Sequence, residues 1–124
     1  MQINLSELYI TIYTAPWCIF CKPFIISAIN TFRNYGISVK QISIVTIETQ
    51  QDKLYLQEQR GIIGVPTITF SFPKRFAVGW ELYTSKKCLD NIGAELPNSR
   101  ILGVLNKLDL LKEIRRLICS MHDL

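Results

Sequence analysis

The sequence predicts an α/β fold, because strand-like and helix-like segments alternate along most of it. Residues 8–13 are rich in β-branched and aromatic side chains, which is typical of a strand, and residues 24–35 have helical periodicity. Residues 37–45 predict a second strand, which the helix would join to the first in a parallel, right-handed βαβ unit. Residues 67–72 alternate in apolar character and predict a third strand.

Three helices are predicted from spacing and end signals. Gly36 is suited to end the first helix and Gly61 to end a polar second helix over residues 49–59, in which Leu54 is the clearest apolar anchor, with Leu56 nearby. Asn106 is a good N-cap for a last helix that ends near residue 119. The predicted apolar stripes are Cys21, Ile25, Ala28, Ile29 and Phe32 in the first helix, and Leu108, Leu111, Ile114 and Ile118 in the last.

Length and composition bound the class of protein. With 124 residues, 48% of them hydrophobic and 19% charged, the chain is expected to form a single domain over residues 1–124. The net charge of +4 is diffuse, which favours acidic partner surfaces over nucleic acid. Neither a membrane span nor a signal peptide is expected from the pattern. We therefore expect a cytoplasmic, monomeric protein, in which four cysteines are more consistent with a catalytic pair than with structural disulfides.

Two of these cysteines, Cys18 and Cys21, form a Cys-x-x-Cys pair between the first strand and the first helix. A pair at this junction indicates redox chemistry. The positive end of the helix dipole and the unpaired N–H groups there favour an anion, so the Cys18 thiol pKa is expected to lie below its usual value of about 8.5. Cys18 would then attack a substrate disulfide, and Cys21 would resolve the mixed disulfide. No cofactor and no metal are expected for this reaction.

Three segments resemble the thioredoxin and glutaredoxin family of thiol–disulfide oxidoreductases. Residues 17–22 (Trp-Cys-Ile-Phe-Cys-Lys) resemble the Trp-Cys-x-x-Cys-Lys motif of thioredoxins, and residues 60–68 resemble the segment that presents a cis-proline opposite the cysteines. Residues 101–107 and 111–114 resemble the last strand and the start of the last helix of that family, whereas residues 9–14 are similar to the short N-terminus of glutaredoxins. The resemblance implies a thioredoxin-like fold with a central mixed four-stranded sheet flanked by helices.

The resemblance also implies site roles and partners. It makes Cys18 and Cys21 catalytic, and it makes Val65–Pro66 a cis peptide whose Val65 backbone pairs with an extended substrate. A trans proline that merely opens a strand is the alternative for Pro66. Trp17, beside the thiolate, is expected to contact substrate rather than fill the core. The implied partners are proteins that contain disulfides, with a reductase or glutathione as the electron source.

The sequence departs from the family at several positions. Ile12 stands where thioredoxins have a buried aspartate, so deprotonation of Cys21 has no identified base. Glutathione binding is poorly supported, since Ala15 replaces a basic residue and no Gly-Gly-x-x-Asp motif occurs. Pro23 is expected to weaken or kink the first helical turn, because it cannot donate to the carbonyl of Ile19. The dipeptide between the cysteines, Ile19-Phe20, differs from those of both subfamilies and leaves the redox potential unassigned.

Residues 73–98 are far longer than a usual hairpin loop. We expect them to form an inserted excursion, followed by a fourth strand near residues 100–104. Two alternatives are a fourth strand at residues 76–80 and a last helix that starts at Ser99.

Other functions for the same residues are weaker. Structural zinc would need two ligands beyond the Cys-x-x-Cys pair, and Cys88, Cys119 and His122 lack paired ligand spacing. Cys88 and Cys119 are expected to be small buried hydrophobic residues, with a regulatory disulfide or a second redox pair as the alternatives. The main hypothesis is a disulfide reductase; its alternatives are a glutaredoxin-like electron donor to ribonucleotide reductase, a non-catalytic binding module and an iron–sulfur scaffold formed by a dimer.

Overall fold

The computed structural model describes residues 8–73, 92–96 and 99–122. These residues form three helices, five strands and one short 3-10 turn (Val39–Gln41). The excursion predicted at residues 73–98 lies mostly outside the described residues, as do the alternative strand at residues 76–80 and Cys88. The helices are α1 (Cys21–Asn34), α2 (Gln50–Arg60) and α3 (Lys107–His122), and the strands are β1 (Tyr9–Thr14), β2 (Ile42–Thr46), β3 (Thr67–Pro73), β4 (Ile92–Glu95) and β5 (Ile101–Leu102).

The strands form one mixed sheet, as predicted, in the order β2-β1-β3-β4, and β5 also pairs with β3. β1 and β2 are parallel, with Ile12 beside Ile44, and α1 connects them. β3 runs antiparallel to β1, with Thr67 beside Tyr13 and Ser71 beside Tyr9. This register places the start of β3 beside the end of β1, where the chain leaves for the Cys-x-x-Cys pair.

Each face of the sheet has its own hydrophobic cluster. Because side chains alternate along a strand, Ile10, Ile12, Ile68 and Phe70 share one face, as the alternation predicted, and they pack against α1 and α3. The opposite face carries Tyr9, Tyr13 and Val45, which pack with Leu56 of α2 and with Ile62. The larger cluster includes the α1 residues Cys21, Phe24, Ile25, Ala28 and Phe32.

Two short strands pair with the outer edge of β3, where a single fourth strand near residues 100–104 was predicted. β4 pairs with the end of β3, with Glu95 beside Ser71, and β5 pairs with its start, with Ile101 beside Ile68. The fourth strand is thus interrupted, and its first half lies at residues 92–95, inside the segment predicted as an excursion. The alternative in which the last helix starts at Ser99 is wrong, since α3 begins at Lys107.

Two helices bury a different face from the predicted one. In α2, Leu54 is 48% exposed, whereas Leu56 is 3% exposed. In α3, Leu108 is 63% exposed, whereas the predicted Ile114 is buried, together with Leu110 and Leu117 among the described side chains. The predicted N-cap of α3 is confirmed, because the Asn106 side chain accepts a hydrogen bond from the Asp109 N–H at 2.9 Å. The predicted Leu111 is only partly buried, and the side chain of Ile118 lies outside the described residues.

Gly61 ends α2 in a left-handed conformation, with φ of 64°. We expect Gly61→Ala to lower the free energy of unfolding by roughly 1–2 kcal/mol, because a Cβ strains this conformation. Its matched control is Gly64→Ala, three residues on, where an added Cβ meets nothing within 4 Å and φ is not positive. That control should be neutral or slightly stabilising. Urea unfolding of the two variants checks this, and equal destabilisation by both would contradict it.

Candidate active site

The loop between β1 and α1 brings the two predicted cysteines together. Its backbone turns twice, as the Cys18 N–H donates to the Ala15 carbonyl at 3.1 Å and the Cys21 N–H donates to the Cys18 carbonyl at 3.2 Å. These turns set the two Cα atoms 5.4 Å apart, and Cys18 and Cys21 form a disulfide. The predicted pairing of the two sulfurs is therefore present in the structure.

Helix α1 begins at Cys21. The motif predicts that Cys18 lies at the helix start, and the periodicity predicts a start at residue 24. Phe20 is the N-cap and Cys21 is the first helical residue, so Cys18 lies two residues before the cap. Pro23 is the third residue of α1, where a backbone N–H has no partner within the helix. The expected loss of a helical hydrogen bond at Pro23 therefore does not arise. The first helical bond, from the Phe24 N–H to the Phe20 carbonyl, is 3.4 Å long.

The two sulfurs differ in access to solvent. Cys18 is partly exposed, whereas Cys21 is 1% exposed and packs in the core beside Ile25 and Ala28. Cys18 is therefore the more accessible of the two cysteines. The predicted roles, attack by Cys18 and resolution by Cys21, stay predictions.

The Val65–Pro66 peptide is cis, as the resemblance implied. It directly precedes β3, whose first residue pairs with Tyr13 near the end of β1. The Pro66 carbonyl accepts a hydrogen bond from the Gly103 N–H at 2.9 Å, and the Thr67 hydroxyl donates to the Gly64 carbonyl at 2.7 Å. These bonds hold the segment at the same end of the sheet as the loop that carries Cys18.

Arg100 also holds this segment, and sequence reasoning did not identify it. Its guanidinium donates to the Gly61 carbonyl at 2.9 Å and to the Arg60 carbonyl at 2.6 Å, and it forms an ion pair with Glu95 at 2.9 Å. Arg100 therefore links the end of α2, where the chain turns toward Pro66, to the outer edge of β3. No local pattern signals this role, because its partners lie 39 and 40 residues away.

We expect Arg100→Lys to lower the free energy of unfolding by about 1–2 kcal/mol, because a lysine cannot bridge two carbonyls and a carboxylate at once. The matched control is Arg116→Lys, since Arg116 also pairs with one glutamate, Glu113, at 2.8 Å, but on an exposed helix surface. That control should change stability by less than about 0.5 kcal/mol. Denaturant unfolding compares the two, and equal effects would contradict a bridging role for Arg100.

Exposed apolar side chains flank Cys18 in the chain, and another lies in the segment before Pro66. Trp17 is 65% exposed, so it does not fill the core, and Ile19 and Phe20 are 78% and 67% exposed. Ile63, in the segment before Pro66, is 77% exposed. Isolated exposed apolar residues are ordinary, but several beside a reactive group are typical of a contact surface.

Ile12, which stands where thioredoxins have a buried aspartate, is fully buried in the larger cluster. No group of three or more His, Cys, Asp and Glu side chains that could hold a metal ion occurs among the described residues. The side chains of Cys119 and His122 lie outside that set. Within the same residues, no helix is both long and apolar enough to cross a membrane.

Comparison with known proteins gives likeness of structure without likeness of sequence. No family model matches the chain, and no curated protein matches it. A solved structure of the germline-specific thioredoxin Deadhead from Drosophila melanogaster is 16% identical, with a TM-score of 0.51 over 90% of this chain and 82% of that one. A thioredoxin from Thermus thermophilus is 18% identical, with a TM-score of 0.49 over 93% and 76% of the two chains. A malarial protein is 16% identical, with a TM-score of 0.49 over 90% and 97%.

The strand order and the overlap with Deadhead agree on the architecture. At this level of identity the overlap shows the fold and leaves the activity open. The Cys18–Cys21 disulfide and the cis peptide before Pro66 are observed in this chain itself. The chain therefore has a thioredoxin-like fold, with a Cys-x-x-Cys disulfide at the start of α1.

Proposed function

We propose that this protein is a thiol–disulfide oxidoreductase that reduces disulfides in other proteins through Cys18 and Cys21. The observation that carries the proposal is the asymmetric disulfide, in which Cys18 is accessible and Cys21 is 1% exposed. A structural disulfide has no need of this asymmetry, or of its position at a helix start. Thiol exchange needs both, because one sulfur must meet the substrate and the other must be confined beside it.

The proposed reaction transfers two electrons. In the reduced protein, the Cys18 thiolate attacks one substrate sulfur, forms a mixed disulfide and releases the other substrate sulfur as a thiolate, which takes up a proton. The Cys21 thiol then loses its proton to water and attacks the Cys18 sulfur. This step releases the second substrate thiol and forms the Cys18–Cys21 disulfide. A two-electron donor must reduce that disulfide before the next cycle: either a flavoprotein reductase, or two glutathione molecules that leave as glutathione disulfide.

Substrate binding is proposed at the backbone of Val65 and at Trp17. In the part of the chain that the structure describes, the Val65 backbone makes no hydrogen bond, so its N–H and carbonyl are available to an extended peptide. Pairing of this kind binds many sequences, because it uses the main chain of the partner. Trp17 would cover the substrate next to the mixed disulfide. We place the reaction in a reducing compartment such as the cytoplasm, with the protein acting as a monomer.

Insulin reduction tests the proposed activity. With dithiothreitol as the electron source, the protein is expected to speed precipitation of the insulin B chain well above the uncatalysed rate. A binding module with incidental thiols would give no acceleration, and that result would overturn the proposal. Recycling by thioredoxin reductase, compared with recycling by glutathione and its reductase, then identifies the electron source.

A further inference from the structure

An open groove of about 420 Å³ lies directly beside the disulfide, between α1 and β2. This volume lies within the range of sites that bind small ligands or single side chains of a partner. None of residues 61–66 lines the groove, so it is separate from the surface near Val65. The main lining residues are Cys18, Cys21, Ile25, Ile26, Ile29 and Ile44.

The lining is apolar, with one charged residue at its rim. Ile26 is 53% exposed, and Ile29 and Ile44 are partly exposed. Each of the three therefore has apolar surface that a bound side chain would cover. Lys22, which follows Cys21, is the charged residue among those that line the groove. Burying the exposed surface of these isoleucines is favourable at about 25 cal/mol per Å². The groove therefore suits an apolar group that has an anionic group beside it.

The groove also borders an edge of the sheet. β2 is the outermost strand in the order β2-β1-β3-β4, so its outer edge has no strand partner among the described residues. Ile44 and Thr46 of β2 line the groove, and Thr46 lies beside Thr14, shortly before Cys18. An extended peptide held at Cys18 could run along this edge. This geometry favours a peptide over a small molecule as the occupant.

We propose that the groove receives a large apolar side chain next to the substrate cysteine that bonds to Cys18, with an acidic residue beyond it paired with Lys22. The proposal rests on the proposed function, because it concerns the mixed disulfide. When a substrate cysteine is bonded to Cys18, the residue beside that cysteine is within one residue of the groove, since Cys18 is part of the lining. The net charge of +4 favours the same acidic partners.

The test uses short peptides, each with one cysteine and oxidised to a symmetrical disulfide. Each peptide has Leu or Ser directly next to the cysteine, and Glu or Lys one residue further from it. Every peptide is made in two versions, with this pair either before or after the cysteine. For the unchanged protein, kcat/KM for the Leu–Glu peptide is expected to exceed that for the Ser–Glu peptide by about 10-fold or more. At low salt, Glu should be preferred over Lys by roughly 3-fold, and Lys22→Gln should remove that preference.

Ile26→Glu should reduce the preference for Leu over Ser to less than about 3-fold, because a carboxylate replaces part of the apolar wall. The matched control is Leu54→Glu, since Leu54 is similarly exposed, at 48% against 53% for Ile26, but lies on α2 on the other face of the sheet. This control should keep the full preference. The ratio between peptides is the readout, because a general loss of folding lowers both rates alike.

Four results would overturn the inference. If the protein reduces insulin but treats Leu and Ser peptides alike, the groove is not a substrate site although the proposed function stands. Equal loss of preference in the Ile26 and Leu54 variants, or reduction of hydroxyethyl disulfide as efficient as that of the Leu–Glu peptide, would also overturn it. If neither insulin nor any peptide is reduced, the proposed function fails together with the inference.

Discussion

Replacing Cys18 by serine is expected to lower the rate of insulin reduction by at least about 10³-fold, to the rate of the electron donor alone. The reason is that a serine hydroxyl, unlike a thiolate, is not a nucleophile toward disulfides near neutral pH. The rate is measured with substrate in excess and dithiothreitol fixed. Circular dichroism must show that the variant is folded. A variant that reduces insulin as fast as the parent would exclude the proposed mechanism.

Replacing Cys21 by serine should have a different effect, which separates the two roles. The first attack by Cys18 still occurs, but the mixed disulfide has no resolving thiol and accumulates as a covalent adduct. The adduct should be visible by mass spectrometry and should disappear in the presence of excess dithiothreitol. The control is Cys88→Ser, which makes the same chemical change at a cysteine to which the resemblance assigns no redox role. This variant should retain activity. An adduct formed by Cys18→Ser, and not by Cys21→Ser, would reverse the assignment.

The second large effect concerns stability. Phe32→Ala is expected to lower the free energy of unfolding by roughly 3–5 kcal/mol, because it leaves a cavity in the larger cluster. Phe32 is fully buried, and its ring packs edge-on against Phe70 with the ring centroids 5.8 Å apart. Such a pair adds to the burial of area alone. Urea unfolding under reducing conditions measures the change, and reduction keeps the disulfide from contributing.

The same chain offers a matched control for this substitution. Phe20 is 67% exposed, so Phe20→Ala removes the same ring from a surface position and should change stability by less than about 0.5 kcal/mol. Both residues belong to the same stretch of chain, since Phe20 caps α1 and Phe32 lies near its end. If the two variants unfolded at the same urea concentration, the packing around Phe32 would not be the main source of its effect.

Local sequence was sufficient wherever the signal acts over a few residues. The Cys-x-x-Cys spacing brings the two sulfurs within one turn of chain, and the hydrogen bonds at Ala15 and Cys18 close that turn locally. Gly61 ends α2 because glycine tolerates its left-handed conformation, and Asn106 caps α3 through Asp109. The alternation in β3 correctly predicted that Ile68 and Phe70 share a face.

Which face of a helix is buried was not determined locally. α3 has apolar residues at two helical spacings, and the sequence favoured the one that contains Leu108 and Leu111. Ile114 of the predicted stripe is buried, but its buried neighbours in the described part of α3 are Leu110 and Leu117 rather than Leu108 and Leu111. In α2, Leu54 and Leu56 are both apolar, and the contact with Tyr13 and Val45 selects Leu56. The spacing of apolar residues predicts a helix, whereas the face that the helix buries depends on the surface against which it packs.

By itself, the sequence determined the kinds of elements, the Cys-x-x-Cys pair and the proline before β3, because each depends on neighbours within one or two turns of chain. Only the tertiary structure decided that the fourth strand starts at Ile92, that Arg100 bridges to Gly61, and that an apolar groove opens between α1 and β2. These features join segments distant in the chain. Their energies come from contacts between surfaces, and such contacts have no fixed spacing along the sequence.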